Sequence, residues 1–226
     1  MAITRDLQTE TRCNRCWQSA QACFCNDIHF VPSSLQLLVL QHPTESRNPY
    51  STARLLSLSL ESSVHRVGLS WPSLSKALGN PAINQQWGVL YLGAKKEENR
   101  VLSQGRVHII KGPDVSVTFK SLKGIVVLDG NWKQAKTLWW RNPWLLRLHR
   151  LVLNAPQTSS YGLVRRQPRR PCLSTLESVA VCVSEITGRH DIEPLLIQNQ
   201  ERFLKKILAT RSLYKAKPDL GQQIFN

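Results

Sequence analysis

Two common features are missing from this sequence: a long apolar segment and a balanced share of acidic residues. No run of about 18 uncharged apolar residues occurs, although a membrane-spanning helix needs roughly that length. Residues 1–12 are polar and do not contain the apolar stretch of a secretory signal peptide. The sequence therefore predicts a soluble protein of the cytoplasm without a membrane partner.

Acidic residues are half as frequent as basic ones, with 15 Asp and Glu against 30 Lys and Arg. The formal net charge of +15 favours a polyanionic partner over a small acidic substrate. Residues 130–176 contain no Asp or Glu, and their basic side chains are interleaved with aromatic ones that can stack on bases. These basic and aromatic residues are Lys133, Lys136, Arg141, Arg147, Arg150, Arg165, Arg166, Arg169, Arg170, Trp132, Trp139, Trp140, Trp144 and Tyr161. We expect a nucleic acid partner, RNA in particular; the alternative is a generally solvated basic surface.

Apolar runs of strand length alternate with helical patterns along the chain. Predicted strands cover residues 35–40, 64–69, 89–92, 124–129 and 148–153, and predicted helices cover residues 50–61, 131–140, 176–187 and 193–210. This alternation is typical of α/β proteins, so we expect a mostly parallel sheet with helices on both faces. The charged, glycine-containing residues 93–123 indicate an excursion or hairpin at the edge of that sheet.

Four of the six cysteines fall close together near the amino terminus, as Cys13, Cys16, Cys23 and Cys25. Two such close pairs can surround one tetrahedral ion, and zinc is the metal that four thiolates favour. An iron–sulfur cluster is the main alternative, and two disulfides are a weaker one. With all four positions filled by cysteine, the predicted site is structural. We expect a zinc-binding head over residues 1–30 and a catalytic domain over residues 31–226, with Cys172 and Cys182 as buried apolar side chains.

Two polar segments directly follow predicted strands. Asp129 ends the apolar run GIVVLD, and His42 opens the segment HPTESR, which also carries Glu45 and Arg47. Because ligand sites in open α/β sheets lie beyond the carboxyl ends of strands, these side chains would converge if the two strands are neighbours. Each also has an ordinary interpretation, Asp129 as a turn residue and His42 as a hydrogen-bonded loop histidine.

A third segment, Ser174 to Glu177, has the Ser-x-x-Glu pattern of a capping box before an apolar helical stretch. The capping role is expected in any case. A helix start also presents backbone N–H groups and a positive dipole end, which can receive the carboxylate of an amino-acid-bearing cofactor.

Together these segments resemble the DTW-domain family of tRNA-uridine aminocarboxypropyltransferases. The matching pieces are C-x2-C-x6-C-x-C, HPTESRNPYSTARLL, LDGNW and RRQPRRPCLSTLESVA, in the family's order, covering residues 13 to about 183. The resemblance implies a SPOUT-like core, of the knotted methyltransferase type. It also implies transfer of the 3-amino-3-carboxypropyl group of S-adenosylmethionine to N3 of a uridine in tRNA, with release of methylthioadenosine. One position departs from the family, which has Thr or Ser where this chain has Asn131.

On this interpretation each segment receives a role. Asp129 is the expected general base, with His42 and Glu45 as further catalytic candidates. The expected cofactor contacts are Leu128, Trp132, Ser174, Thr175 and Leu176, and the expected RNA contacts are Arg47, Arg165, Arg166, Arg169 and Arg170. Two other interpretations stay open: a SPOUT-type RNA methyltransferase that uses S-adenosylmethionine, and a non-catalytic zinc-containing RNA-binding protein.

Overall fold

A computed structural model describes residues 12–90, 105–111, 118–154 and 173–215 of the chain. Its strands are β1 (Gln36–Gln41), β2 (Ser63–Val67), β3 (Trp87–Leu90), β4 (Val107–Lys111), β5 (Gly124–Asp129) and β6 (His149–Leu153). Its α-helices are α1 (Pro43–Ser46), α2 (Thr52–Ser59), α3 (Leu74–Leu78), α4 (Trp132–Arg141), α5 (Thr175–Thr187) and α6 (Ile192–Lys215). Short 3-10 turns cover Asn84–Gln86, Phe119–Ser121 and Pro143–Arg147.

The six strands form one sheet in the order β2-β1-β5-β3-β6-β4. Every neighbouring pair is parallel except β4 with β6, which places an antiparallel strand at one edge. All six residues of β5 are buried, as are five of the six residues of β1. Such continuous burial is typical of parallel strands covered on both faces. The mostly parallel α/β sheet predicted from the sequence is therefore confirmed.

Helices cover both faces of the sheet because alternate side chains of the strands point to opposite sides. On one face, Leu37 and Val39 of β1 belong to a core formed with α2, α5 and α6. On the other face, Leu38 and Leu40 belong to a second core formed with α3 and α4. No helix in the described ranges is long and apolar enough to cross a membrane.

Residues 12–30, here called the cysteine segment, pack into the first of these cores. The buried side chains of Cys16 and Phe24 belong to it, and the Phe24 ring meets Phe203 of α6 edge-on at 5.0 Å. Asn199 of α6 binds the backbone of His29 through two hydrogen bonds, at 2.7 and 2.8 Å. These contacts fix the orientation of the cysteine segment relative to the sheet.

Two local differences from the predicted elements bear on the site. The predicted helix over residues 50–61 begins later, at Thr52, because Ser51 accepts a bond from the Ala53 N–H and acts as the N-cap. A separate short helix, α1, precedes it, with Pro43 in its first turn. Between the two helices, residues 47–51 form a connection beside the carboxyl end of β1.

Candidate active site

Asp129 is the last residue of β5, and the strand register places it beside Gln41, the last residue of β1. The Asp129 side chain is buried, with 4% exposure. Its Oδ1 accepts a hydrogen bond from Thr175 Oγ1 at 2.6 Å, and its Oδ2 accepts one from Gln41 Nε2 at 2.8 Å. Ser51 Oγ lies 3.4 Å from Oδ2. One carboxylate thus contacts Thr175 of the third polar segment and two residues, Gln41 and Ser51, that flank the HPTESR segment.

Further hydrogen bonds hold the Gln41 side chain in place. Its Nε2 also donates to Ser51 Oγ at 2.8 Å, and its Oε1 lies 3.0 Å from Nε2 of His65. Because that amide oxygen can only accept, His65 Nε2 carries the proton. Burial, aided by the nearby Arg54 charge, lowers the pKa of His65 to about 4. A neutral His65 therefore fixes the Gln41 amide, which in turn orients Asp129.

His42 and Glu45 lie in the same region. The backbone N–H of His42 donates to the Asp129 carbonyl at 3.0 Å, so α1 begins directly beside the end of β5. The His42 side chain caps α1, with Nδ1 accepting from the Thr44 N–H at 3.2 Å. Glu45 is buried, and its Oε1 accepts a bond from Asn48 Nδ2 at 2.8 Å. Both side chains contribute to the structure of the loop that carries them.

The turn after Asp129 depends on a glycine. Gly130 has a φ of +155°, and a Cβ at this position would lie 2.8 Å from the Cβ of Gln134. Asn131 then caps α4: its Oδ1 accepts from the Gln134 N–H, and Gln134 Oε1 accepts from the Asn131 N–H. Trp132, at the first helical position, remains 46% exposed, whereas Leu128 is buried in the core.

The start of α5 is fixed by the predicted capping box. Ser174 Oγ accepts from the Glu177 N–H at 3.1 Å, and Glu177 Oε2 accepts from the Ser174 N–H at 2.6 Å. Gln200 of α6 closes this network, since its Oε1 accepts from Ser174 Oγ and its Nε2 donates to Glu177 Oε1. Leu176 is fully buried. Of the three cofactor candidates on this turn, Thr175 is the one whose side chain contacts Asp129.

The four clustered cysteines have the geometry of a metal site. Their Sγ atoms all lie within 4.8 Å of one another, with Cys13 and Cys25 separated by 3.7 Å and Cys16 and Cys23 by 3.6 Å. A tetrahedral zinc ion, with metal–sulfur distances of about 2.3 Å, places its sulfurs about 3.8 Å apart. The N–H groups of Cys16 and Arg15 lower the pKa of Cys13 to about 6, whereas burial raises the pKa of Cys25. The four residues could therefore hold a metal ion.

The predicted RNA contacts divide into two groups. Arg47 is the C-cap of α1 and lines a cavity next to the cysteine segment. The other four, Arg165, Arg166, Arg169 and Arg170, lie outside the described residues, as does Cys172. Cys182, in contrast, is a free and fully buried thiol, which confirms that prediction.

Sequence reasoning missed Ser51 and His65 as members of the site. His65 lies on β2, a strand whose other residues give no sign of chemistry. Ser51 fell inside the predicted helix over residues 50–61, whereas in the structure it is the N-cap of α2. The available signal was the position of Gln41. It is a polar residue at the carboxyl end of β1, where ligand sites of α/β sheets lie.

Comparison with known proteins identifies the family to which the chain belongs. A family model described as the DTW domain matches residues 10–208. A protein of Drosophila melanogaster, "tRNA-uridine aminocarboxypropyltransferase 2", is 29% identical over 197 residues, covering 83% of this chain and 71% of that protein. Proteins with the same name from Macaca fascicularis and Mus musculus are 28% and 27% identical, each covering 82% of this chain and 60% of the relative. No solved structure matches the chain significantly. Because the family model spans most of its length, the chain belongs to the DTW domain family.

Proposed function

We propose that this protein transfers the 3-amino-3-carboxypropyl group of S-adenosylmethionine to N3 of a uridine in tRNA. In support, three relatives at 27–29% identity are named "tRNA-uridine aminocarboxypropyltransferase 2". The observation that carries the proposal is the Asp129 carboxylate of the LDGNW segment, which contacts Gln41 at the end of β1 and Thr175 of the family-like segment that begins α5. The site contains a buried acidic group next to the start of a helix, and the protein as a whole is basic. These features suit a reaction between RNA and a co-substrate that carries an amino-acid group.

Asp129 is proposed as the general base. In the reaction, uridine N3 attacks the γ-carbon of the transferred group, the carbon–sulfur bond breaks, and its electron pair neutralises the sulfonium. The N3 proton passes to an Asp129 oxygen, so the products are the modified uridine and neutral methylthioadenosine. Ser51 Oγ holds Oδ2 only at 3.4 Å, a weak contact that a substrate N–H could replace. His42 and Glu45 are proposed to shape the loop beside this carboxylate.

The proposed co-substrate contacts are Leu128, Trp132, Ser174, Thr175 and Leu176, at the end of β5 and the starts of α4 and α5. Because Leu176 is buried, it contributes through its backbone. Ser174 contributes by holding the first turn of α5 in place, since its Oγ and its N–H both belong to the capping box. The N-terminus of α5 has a positive dipole end suited to the amino-acid carboxylate. Trp132 offers an exposed indole face for the adenosine.

The proposed metal is zinc, bound by Cys13, Cys16, Cys23 and Cys25. The sulfur separations of 3.7 and 3.6 Å match those around a single tetrahedral ion, whereas a cluster binds its cysteines through different iron atoms and spreads the sulfurs further. All four ligands are protein thiolates, so the ion supplies stability and not chemistry. We further propose a zinc-binding head over residues 1–30 and a catalytic domain over residues 31–226. The proposed core is SPOUT-like and knotted, and the proposed location is the cytoplasm.

Arg47 and the arginines at positions 165, 166, 169 and 170 are proposed to bind the tRNA backbone. The exposed side of α4 is a further proposed RNA contact: Trp140 is 75% exposed, and Lys133 and Arg141 of the same helix are exposed as well. Arg150 lies over the Trp139 ring at 5.5 Å. Basic side chains next to exposed aromatic rings are the pattern that RNA-binding surfaces use.

The decisive experiment is product analysis. Purified protein is incubated with unmodified tRNA and S-adenosylmethionine, and both products are identified by mass spectrometry. We expect 3-(3-amino-3-carboxypropyl)uridine and methylthioadenosine in equal amounts. A methylated nucleoside with adenosylhomocysteine would identify a methyltransferase instead, and tRNA binding without any affinity for S-adenosylmethionine would identify a non-catalytic RNA-binding protein.

A further inference from the structure

A cavity of about 680 Å³ lies between the cysteine segment and the carboxyl ends of β1 and β2. Its walls include Arg12 and Trp17 from the cysteine segment, Arg47 from the α1–α2 connection and Arg54 from α2. Gln18 Nε2 donates to the Pro49 carbonyl at 2.8 Å, which ties the two walls together. The volume falls within the range of about 300–1,000 Å³ that is usual for ligand pockets.

The charge of this cavity selects for an anion. Three arginines line it, and no carboxylate is found among its lining residues. Arginine is suited to phosphate because its planar guanidinium can donate two parallel hydrogen bonds. Arg12 donates to the Trp17 carbonyl at 3.4 Å, a weak contact that leaves most of its donors available.

Trp17 adds an aromatic surface held in an unusual conformation. Its φ of +62° makes it the single non-glycine residue with positive φ in the described part of the chain, a conformation that costs about 1–2 kcal/mol. The local turn maintains it, since the Trp17 N–H donates to the Cys13 carbonyl at 2.8 Å. The side chain is nevertheless 55% exposed, so core packing does not explain the strain. Arg54 lies over the ring at 5.1 Å.

The same cavity extends to side chains that contact Asp129, although Asp129 itself is not among its lining residues. Gln41 and Ser51 are among its lining residues, and both contact Oδ2 of Asp129. Thr175, which contacts Oδ1, is not among them, and neither are the other proposed co-substrate contacts. The cavity therefore approaches Asp129 from the Oδ2 side, whereas the start of α5 approaches it from the Oδ1 side.

We propose that this cavity receives the target uridine nucleotide, with its base against the indole of Trp17 and its phosphates on Arg12 and Arg47. The inference rests on the proposed function, because it supplies the RNA side of that reaction. A uridine in structured RNA must leave its stack to react, and an aromatic platform beside an arginine-lined cavity compensates the lost stacking. The cysteine segment thus forms one wall of the substrate site.

Photo-crosslinking tests the location directly. The wild-type protein is irradiated with tRNA in which uridine is replaced by 4-thiouridine, and crosslinked peptides are mapped by mass spectrometry. We expect a crosslink within residues 12–18. Crosslinks confined to other parts of the chain would overturn the inference. This readout needs no turnover, so it remains decisive even if product analysis refutes the proposed transfer reaction.

Substitution at Trp17 tests its role. For Trp17→Ala we expect the KM for tRNA to rise by about 5- to 150-fold, the range for one lost base stack, while the KM for S-adenosylmethionine changes less than twofold. Trp17→Phe keeps an aromatic face and should recover most of the affinity. Phe30→Ala is the matched control, because Phe30 is similarly exposed at 62% but does not line the cavity.

Two results would contradict the inference. One is an unchanged KM for tRNA in Trp17→Ala, and the other is an equal rise of that KM in Phe30→Ala. If the wild type proves inactive, the dissociation constant for tRNA replaces KM, and the same ranking of variants is expected. If Trp17→Ala loses its metal, measured by elemental analysis, the comparison of Trp17→Phe with the wild type and the crosslinking map decide.

Discussion

Replacing Asp129 by Asn tests whether this carboxylate performs chemistry or only holds the site together. The structure shows that the change is not purely chemical. Asp129 accepts bonds from Thr175 on one oxygen and from Gln41 on the other, and Asn keeps only one acceptor oxygen. One bond to a charged group is lost and the other becomes neutral, so the unfolding free energy should fall by about 2–4 kcal/mol.

A second buried carboxylate provides the matched control. Glu177 is 5% exposed, and its two oxygens accept bonds from the Ser174 N–H and from Gln200 Nε2. Glu177→Gln therefore makes the same acid-to-amide change at similar burial, within a capping network. Both variants should lose comparable stability in urea unfolding followed by tryptophan fluorescence. Only Asp129→Asn should lose transfer activity, by about 100- to 10,000-fold, the usual contribution of a general base.

The reasoning fails if the activities do not separate. Nucleoside mass spectrometry at saturating tRNA and S-adenosylmethionine gives the two rates. A loss below tenfold in Asp129→Asn, together with the expected fall in stability, would mean that Asp129 only organises the turn. An equal loss of activity in Glu177→Gln would show that general destabilisation explains both variants.

Three further predictions follow from the metal site, the buried histidine and the basic surface. Purified protein should contain close to one zinc per chain, and Cys13→Ala should lower that content and the Tm, whereas iron with acid-labile sulfide would contradict the proposal. Because the pKa of His65 is lowered to about 4, the unfolded chain binds its proton more readily, and the unfolding free energy should fall by up to about 3 kcal/mol between pH 6.5 and pH 4. Urea unfolding of His65→Gln should lack that part of the pH dependence; an identical pH dependence would refute it. Arg165→Ala combined with Arg166→Ala should raise the Kd for tRNA and reduce its salt dependence while affinity for S-adenosylmethionine stays constant, and unchanged tRNA binding would remove these arginines from the interface.

The sheet could be predicted from sequence because its strands carry a strong local signal. The apolar run IVVL within GIVVLD predicted β5, and the structure buries every residue of that strand. The helices α4 and α5 were predictable for a different reason, since capping residues and apolar spacing mark their starts. Five-residue α3 gave no comparable signal, because so short a segment cannot establish a helical period.

The site was predictable only in part, because Gln41, Ser51 and Thr175 reach Asp129 from distant parts of the sequence. That Asp129 and the His42 segment lie together followed from two strands ending in polar residues. That Gln41, and not His42, binds the carboxylate depends on which residue of the strand faces inward at the sheet edge. The contact of His65 with Gln41 depends on β2 pairing with β1, which no local pattern reveals.

The departure from the family pattern at Asn131 can be interpreted from the structure. Ser and Thr, which the resemblance leads one to expect at this position, and Asn share a short side chain with an oxygen that can accept from a helix N–H. Asn131 uses that oxygen for the Gln134 N–H, while Gln134 returns the bond to the Asn131 backbone. In this chain the residue at this position therefore serves as the N-cap of α4. The cap orders the first turn of α4, and Gly130, between that turn and Asp129, has a φ of +155° with Gln134 close to it. The asparagine thus orders the backbone turn that directly follows the proposed general base.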